Sequence, residues 1–448
     1  MASNPFQQLA VIRKASQKGY TITDCYRLMY KKELWMKAYA KLSPNAEKLS
    51  KGEPEERIDS SGMQDINEII NHLKTERFRF VTGERVRTNV RKKDVFFSEQ
   101  KNRLVQEVMR MILESVFEPT FSNNSHGFRE GRDNHTALSQ IQKTWTMVTW
   151  CIEGKIKGLF DHSMLIYLIS KKINDRRFLL LIHNALTCGV IENWNDSGTS
   201  QVGNISPILA NIYLHEFDSF IDKQIKFSNC NRVGQKYQKI KFIRYVDDFV
   251  IGISGSKKCA LWVKEEISCF LKKELRLQLR TDRAIITHLE KPVPFLGYQF
   301  RRRKREKNNV NFRNQLRNPI VLEIPKRKIK AFAVNHGYGN LNDFTFVHRA
   351  NLMNHSEVDI LTTYNRELRG IANYYMLANN YQHLEKLFNL AQSSFIKTIA
   401  NKRKSTFKKV ILSMRKPKQG YLSILGKDKQ GNEQLSFFVK LNDLQGRK

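Results

Sequence analysis

Phe242-Ile243-Arg244-Tyr245-Val246-Asp247-Asp248-Phe249 places two adjacent carboxylates between two runs of β-branched and aromatic residues, Lys241–Tyr245 before them and Phe249–Ile253 after. Such runs favour strands, and a short polar break between them favours a hairpin. The segment therefore reads as two antiparallel strands with Asp247 and Asp248 at the tip. Two carboxylates at one tip supply one side of a clamp for divalent cations, provided that further anionic ligands converge from other elements. Taken alone, an Asp-Asp pair reads equally well as a hydrogen-bonded turn.

The pattern around the hairpin is mixed. Ile208, Leu209, Ile212, Phe217 and Phe220 form an apolar stripe that predicts a helix over Ser206–Ile221, and Lys257–Glu274 predicts another. Strands are expected at Ile152–Gly158, Leu275–Leu279 and Phe295–Phe300, and the alternation of Phe78, Phe80 and Thr82 suggests one more. Upstream, Leu104–Phe117 and Met63–Leu73 read as helices, and residues 1 to 45 as short amphipathic helices. Helices, one hairpin and flanking strands describe an α+β domain with a small antiparallel sheet. After the basic run Arg301-Arg302-Arg303-Lys304-Arg305 the pattern becomes mainly helical, from Phe344 through Ile411, which sets a domain boundary near Arg303.

Composition narrows the partner. The chain has 448 residues and 77 Lys plus Arg against 43 Asp plus Glu, a formal charge of +34. That excess suits a polyanion that releases counterions on binding. Nine basic and no acidic side chains lie between Lys397 and Lys418, and such a block is relieved when phosphates sit against it. The 6 cysteines stand singly, without a C-x-x-C pair, which excludes a zinc ribbon and favours a reducing compartment. Met1–Tyr20 has no continuous apolar core, so no secretory signal is expected there, and no apolar run is long enough for stable membrane insertion.

Five ordered segments resemble the group II intron maturase branch of the reverse transcriptases. They are the Tyr245-Val246-Asp247-Asp248 box, Ser125-His126-Gly127-Phe128-Arg129, Ile205-Ser206-Pro207-Ile208-Leu209-Ala210-Asn211, Phe295-Leu296-Gly297-Tyr298, and Tyr364-Asn365-Arg366-Glu367-Leu368-Arg369-Gly370-Ile371-Ala372-Asn373-Tyr374-Tyr375. The resemblance implies a right-hand fold: an N-terminal RNA-binding extension and fingers over 1–145, a palm over 146–303, and a helical thumb, maturase domain X and basic tail over 304–448. It places Phe295-Leu296-Gly297-Tyr298 in the strand closing the palm, and implies an organellar member without an endonuclease domain.

The same resemblance exposes departures. The family carries a catalytic aspartate in a Gly-Asp-Ile-Lys-Gly stretch, and this chain reads Gly154-Lys155-Ile156-Lys157-Gly158. A protonated lysine cannot ligate magnesium, and its charge can pair with Asp247 or Asp248 instead. Asp161 lies past the strand, and Glu153, two residues back on the same face, is displaced by roughly 7 Å. Val202 fills a position that the family leaves as glycine, Arg283 stands where it favours lysine, and Arg91–Glu99 lacks its Pro and Gly punctuation. The expectation is a degenerate polymerase site, Lys155, Asp247 and Asp248, with no intact catalytic set and at most Asp247 and Asp248 as residual metal ligands.

What the resemblance then implies is a splicing factor that grips a structured intron RNA and holds its active fold. RNA contacts are expected from Arg13, Lys14 and Lys18, from Arg366 and Arg369, and from Lys397, Lys402, Arg403, Lys404, Lys408 and Lys409. No cofactor is expected on the protein, the Mg2+ being required by the partner RNA. A homodimer and host splicing proteins remain open as further partners. Lys, Asn and Ile usage suggests an AT-rich genome, the absence of a targeting segment suggests an organelle-encoded protein, and the lost polymerase and endonuclease features, which resemble those of organelle maturases, lead to a plastid being preferred over a mitochondrion. Two other readings stay open: an active reverse transcriptase with Asp161 or a shifted register completing the site, and a general, non-enzymatic RNA-binding protein.

Overall fold

A computed structural model describes residues 4–42, 60–80, 92–188, 204–225, 239–280, 284–303, 319–414, 421–427 and 433–445. The chain forms two compact units, Met1–Ala137 with Met147–Thr287, and Leu138–Thr146 with His288–Lys448. Of the residues singled out in the sequence, Thr82, Arg91, Val202, Arg283, Lys304 and Arg305 lie outside the described residues.

In the first unit, helices α1 (Pro5–Gln17), α2 (Cys25–Leu28), α3 (Lys32–Leu42), α4 (Ser60–Lys74) and α5 (Lys92–Phe117) precede a short strand β1 (Ser125–His126) and helix α6 (Asn134–Thr144), whose C-terminal part belongs to the second unit. Strand β2 (Trp150–Lys157), helices α7 (His162–Ser170), α8 (Arg176–Thr187) and α9 (Ser206–Phe220), the hairpin β3 (Lys239–Tyr245) and β4 (Asp248–Ser254), helix α10 (Lys257–Glu274), and strands β5 (Gln278–Leu279) and β6 (Ile285–His288) follow. The sheet runs β1-β3-β4-β2-β5, with β1 parallel to β3 and its other steps antiparallel; β6 pairs with β2. The α+β class is thus observed directly. Phe217 of α9 packs against Phe242 and Phe249 at centroid distances of 5.6 and 5.2 Å, binding helix to sheet.

Two expected strands of the first unit differ. Leu275–Leu279 shrinks to Gln278–Leu279, because Arg276 turns to φ 54° and the Leu277 amide bonds Leu271 O, so residues 275–277 cap α10. Phe78 and Phe80 are not in a strand; their rings meet edge to face at 5.1 Å, with no ladder among the described residues.

The second unit holds a three-stranded antiparallel sheet, β7 (Val293–Phe295), β8 (Tyr298–Arg302) and β9 (Ile320–Glu323), then α11 (Lys326–Asn335), the ribbon β10 (Gly339–Asn340) and β11 (Thr345–Phe346), and α12 (Glu357–Tyr374), α13 (Glu385–Lys402) and α14 (Phe407–Met414). A hairpin β12 (Ser423–Lys427) and β13 (Glu433–Phe437) and α15 (Asn442–Gln445) end it. Phe295–Phe300 is therefore a hairpin rather than one strand. Leu296 and Gly297 sit at φ 46° and 75°, the paired left-handed residues of a type I′ turn. Tyr374 at the end of α12 and Tyr375 just after it donate their hydroxyls to the carbonyls of Leu296 and Gly297, so the turn is a docking point for the end of α12.

Candidate site: a lysine between two carboxylates and an outward basic surface

Strand alternation sets up the site. Ile152, Gly154 and Ile156 of β2 face the core, and Glu153, Lys155 and Lys157 face the other way. Gly154 opposes Phe249, and a Cβ on Gly154 would lie 2.3 Å from the Phe249 ring, so only glycine fits under that ring. One residue on, Lys155 opposes Asp248. Its Nζ lies 3.0 Å from Asp247 Oδ2 and 3.7 Å from Asp248 Oδ1. The three residues thus come together, with an ammonium between two carboxylates.

The hairpin tip is held from behind by a buried arginine. Arg244 is fully enclosed and pairs with both oxygens of Asp218 on α9, at 2.7 and 2.6 Å. It also donates to Ser125 Oγ, Asn211 Oδ1 and the Val246 carbonyl. Asn211 donates in turn to the Gly127 carbonyl. Three separated sequence segments therefore meet on one guanidinium. That network supports Val246 at φ 60°, an unfavourable value for a β-branched residue, and the turn presents Asp247 toward Lys155. Gly127 lies so close to Val246 that a Cβ there would approach Val246 Cγ2 to 2.7 Å. Sequence reasoning missed Arg244 and Asp218, whose only signal was an arginine set between Ile243 and Tyr245 in a strand that leads to the Asp247-Asp248 turn.

A pair of magnesium ions does not fit these residues. Mg2+ takes near-octahedral oxygen ligands at short range, while Lys155 offers only donors and its own positive charge. No group of three His, Cys, Asp or Glu side chains that could hold a metal is present among the described residues. Asp161, the alternative carboxylate, is committed elsewhere: it caps α7 through the Met164 amide and pairs with Arg276. The Met164 hydrogen bond and the Arg276 guanidinium together hold its carboxyl below the usual range, outweighing its slight burial.

The expected RNA-binding residues divide into two groups. Arg13, Lys14 and Lys18 are exposed on and just after α1, Arg13 lying 4.0 Å from Glu130. Arg366 and Arg369 are exposed on α12, and Lys404, Lys408 and Lys409 at the turn from α13 into α14. Lys397 instead donates to the Phe346 carbonyl, Lys402 to the Met353 carbonyl, and Arg403 forms a double bridge to Glu357. Sequence reasoning passed over Lys326, Arg327, Lys328 and Lys330, all exposed in the first turns of α11, although the run Lys-Arg-Lys-Ile-Lys after Pro325 was visible.

Within α12 the motif residues are mainly structural. Tyr364 is buried, bonded to Ser394 and Thr398, and stacked on Tyr338. Glu367 receives Arg349 through two bonds, and Tyr338 donates to it as well. Burial, the Glu367 charge and the bond to Glu367 push the Tyr338 hydroxyl far above its usual range.

Residues 90–300 match the reverse transcriptase (RNA-dependent DNA polymerase) family and residues 317–439 the type II intron maturase family. The chain is 32% identical to the group II intron-encoded protein LtrA of Lactococcus lactis subsp. cremoris, over 95% of its own length and 82% of that protein's. It is 27% identical to the putative COX1/OXI3 intron 2 protein of Saccharomyces cerevisiae, over 88% of this chain and 54% of the yeast protein. Nuclear intron maturase 1, mitochondrial, of Arabidopsis thaliana matches at 26% over 45% of this chain and 40% of the plant protein. The chain belongs to the group II intron-encoded reverse transcriptase and maturase family.

Proposed function

We propose that this protein is a maturase in which the polymerase palm has become scaffold: it binds a structured group II intron RNA, stabilises the RNA's active fold, and does not extend primers. The observation that carries the second half is the Lys155 ammonium, 3.0 Å from Asp247 and 3.7 Å from Asp248. It replaces a metal's charge without offering a metal's coordination sites. Supporting the first half are the exposed cations of α1, α12 and the α13–α14 turn, together with the match of residues 317–439 to the maturase family. Phosphate contacts by those cations fix register and orientation, while loops and exposed bases supply sequence preference. The Mg2+ of the reaction is assigned to the RNA.

The organellar relatives support an organelle as the place of work. Of those named above, the Arabidopsis thaliana maturase is mitochondrial; the proposal of a plastid rests on the resemblance to organelle maturases with a degenerate polymerase site. No helix among the described residues is long and apolar enough to cross a membrane.

The test is splicing of the intron that hosts or neighbours the gene, at near-physiological magnesium, with parallel primer extension on an RNA template. Wild-type protein is expected to promote splicing and to extend no primer. Lys155→Asp would gather three carboxylates, so magnesium should raise its melting temperature while leaving that of the wild type unchanged. Primer extension by the wild-type protein would sink the scaffold reading, and failure to splice that intron while binding unrelated RNAs equally would favour a general RNA-binding role.

A further inference from the structure

Helix α12 contains a glycine that its own fold does not use. Gly370 lies in the helix interior and is exposed, and a Cβ built there meets nothing within 4 Å. Glycine in such a position weakens a helix relative to alanine. Other glycines are accounted for by a close neighbour, as Gly154 is by the Phe249 ring, or by a positive φ, as at Gly19, Gly131 and Gly297, the first two of which also face open space. At Gly370, which has helical backbone, no neighbour among the described residues does so.

Its surroundings have a definite chemistry. Arg366, Gly370 and Asn373, with Arg369 beside them, fall at i, i+3, i+4 and i+7 spacing and share one exposed face. The acidic residue in the same stretch, Glu367, is turned away and neutralised by Arg349. The result is a strip of bare helix backbone flanked by two guanidiniums on one side and a side-chain amide on the other. A sugar–phosphate backbone can approach such a strip more closely than it can approach a helix carrying side chains, with the guanidiniums on phosphates and the amide on a ribose hydroxyl or base edge.

We infer that Gly370 is the point of closest approach of the RNA sugar–phosphate backbone to α12, with Arg366, Arg369 and Asn373 as its polar flanks. This rests on the RNA-binding reading proposed above and gives it a location. The glycine is kept for the partner at the expense of the free helix.

The two costs have opposite signs in an experiment. Full-length wild-type protein, Gly370→Ala and Gly370→Gln are compared by thermal melting and by affinity for a labelled transcript of the intron that hosts or neighbours the gene, over a salt series. Gly370→Ala is expected to melt roughly 2–4 °C higher, because it removes the helix penalty. It should bind the transcript about threefold to tenfold more weakly, and Gly370→Gln more weakly still. Neither should alter the salt slope, since no charge changes, whereas Arg366→Gln should lower it by about one phosphate contact. Unchanged or tighter binding by both glycine variants overturns the inference. A lower melting temperature for Gly370→Ala overturns it as well, since the space above the glycine would then be in use within the protein. Failure of the wild-type protein to bind the transcript removes the RNA-binding reading itself, an outcome distinguishable because it needs no variant.

Discussion

The palm hairpin and the outer surface of α12 and the α13–α14 turn use positive charge in opposite ways. Around the palm hairpin the cations point inward and are matched: Arg244 to Asp218, Arg129 to Glu118, and Lys155 to Asp247 and Asp248. In the second unit Arg366, Arg369, Lys404, Lys408 and Lys409 point outward, with no ion-pair partner among the described residues. An inward, matched cation orders the chain. An outward, unmatched one repels its neighbours until a polyanion arrives, and its contribution appears on binding. The contrast separates scaffold from binding surface, and it predicts that substitutions in the two regions move different observables.

The largest effect is expected at Arg244. Replacing it with Met leaves Asp218 as an unpaired charge in a closed interior, which costs about 3–5 kcal/mol. Denaturant unfolding should show this loss, and a paired change of Arg244→Met with Asp218→Leu should recover much of it. A loss below about 1 kcal/mol would mean that the guanidinium is not the tie between β3, α9 and β1. Next is Gly154→Ala, where the added methyl meets the Phe249 ring. Overpacking of this kind costs about 1–3 kcal/mol, and Phe249→Leu in the same chain should relieve part of it. Both variants should keep the salt slope of RNA binding at the wild-type value wherever they remain folded.

Periodicity made the secondary elements around the site legible. The strands on either side of Asp247 and helices α9 and α10 followed from their apolar patterns, because each buries one face. The Lys155 contact with Asp247 and Asp248 was also foreseeable once the register of β2 against β4 was supposed. What sequence could not give was the direction of a charge. Arg244 reads as a surface residue until Asp218, 26 positions away, is folded beneath it. Lys397 and Lys402 read as phosphate contacts, yet their amines reach carbonyls about 50 residues distant in the chain, 51 and 49 positions away. The turn at Leu296-Gly297 was hidden for a local reason, since leucine at positive φ is rare and lacks the Asn-Gly or Asp-Gly signature of such hairpins. Likewise a glycine against an aromatic ring and a glycine facing open space are the same letter.

The smallest predicted effects lie at Arg403 and Lys404, where the contrast between inward and outward charge is compressed into neighbouring residues. Arg403 bridges Glu357 and also donates to Ser413, tying the end of α13 to the start of α12 and to α14. Because the pair is partly exposed, Arg403→Gln should cost less than about 1 kcal/mol and leave the salt slope of RNA binding unchanged. Lys404 is exposed and sits at φ 48°, just past the end of α13, where glycine is the preferred residue. Lys404→Gly should therefore stabilise the protein by roughly 1 kcal/mol, through relief of the left-handed conformation. It should also reduce the salt slope by about one, because a phosphate contact is lost. Melting and salt-dependent binding measured side by side on the two variants decide the matter. If Arg403→Gln lowers the slope while Lys404→Gly does not, the direction of a side chain in the free protein does not report its use, and the division between scaffold and binding charges fails where it is finest.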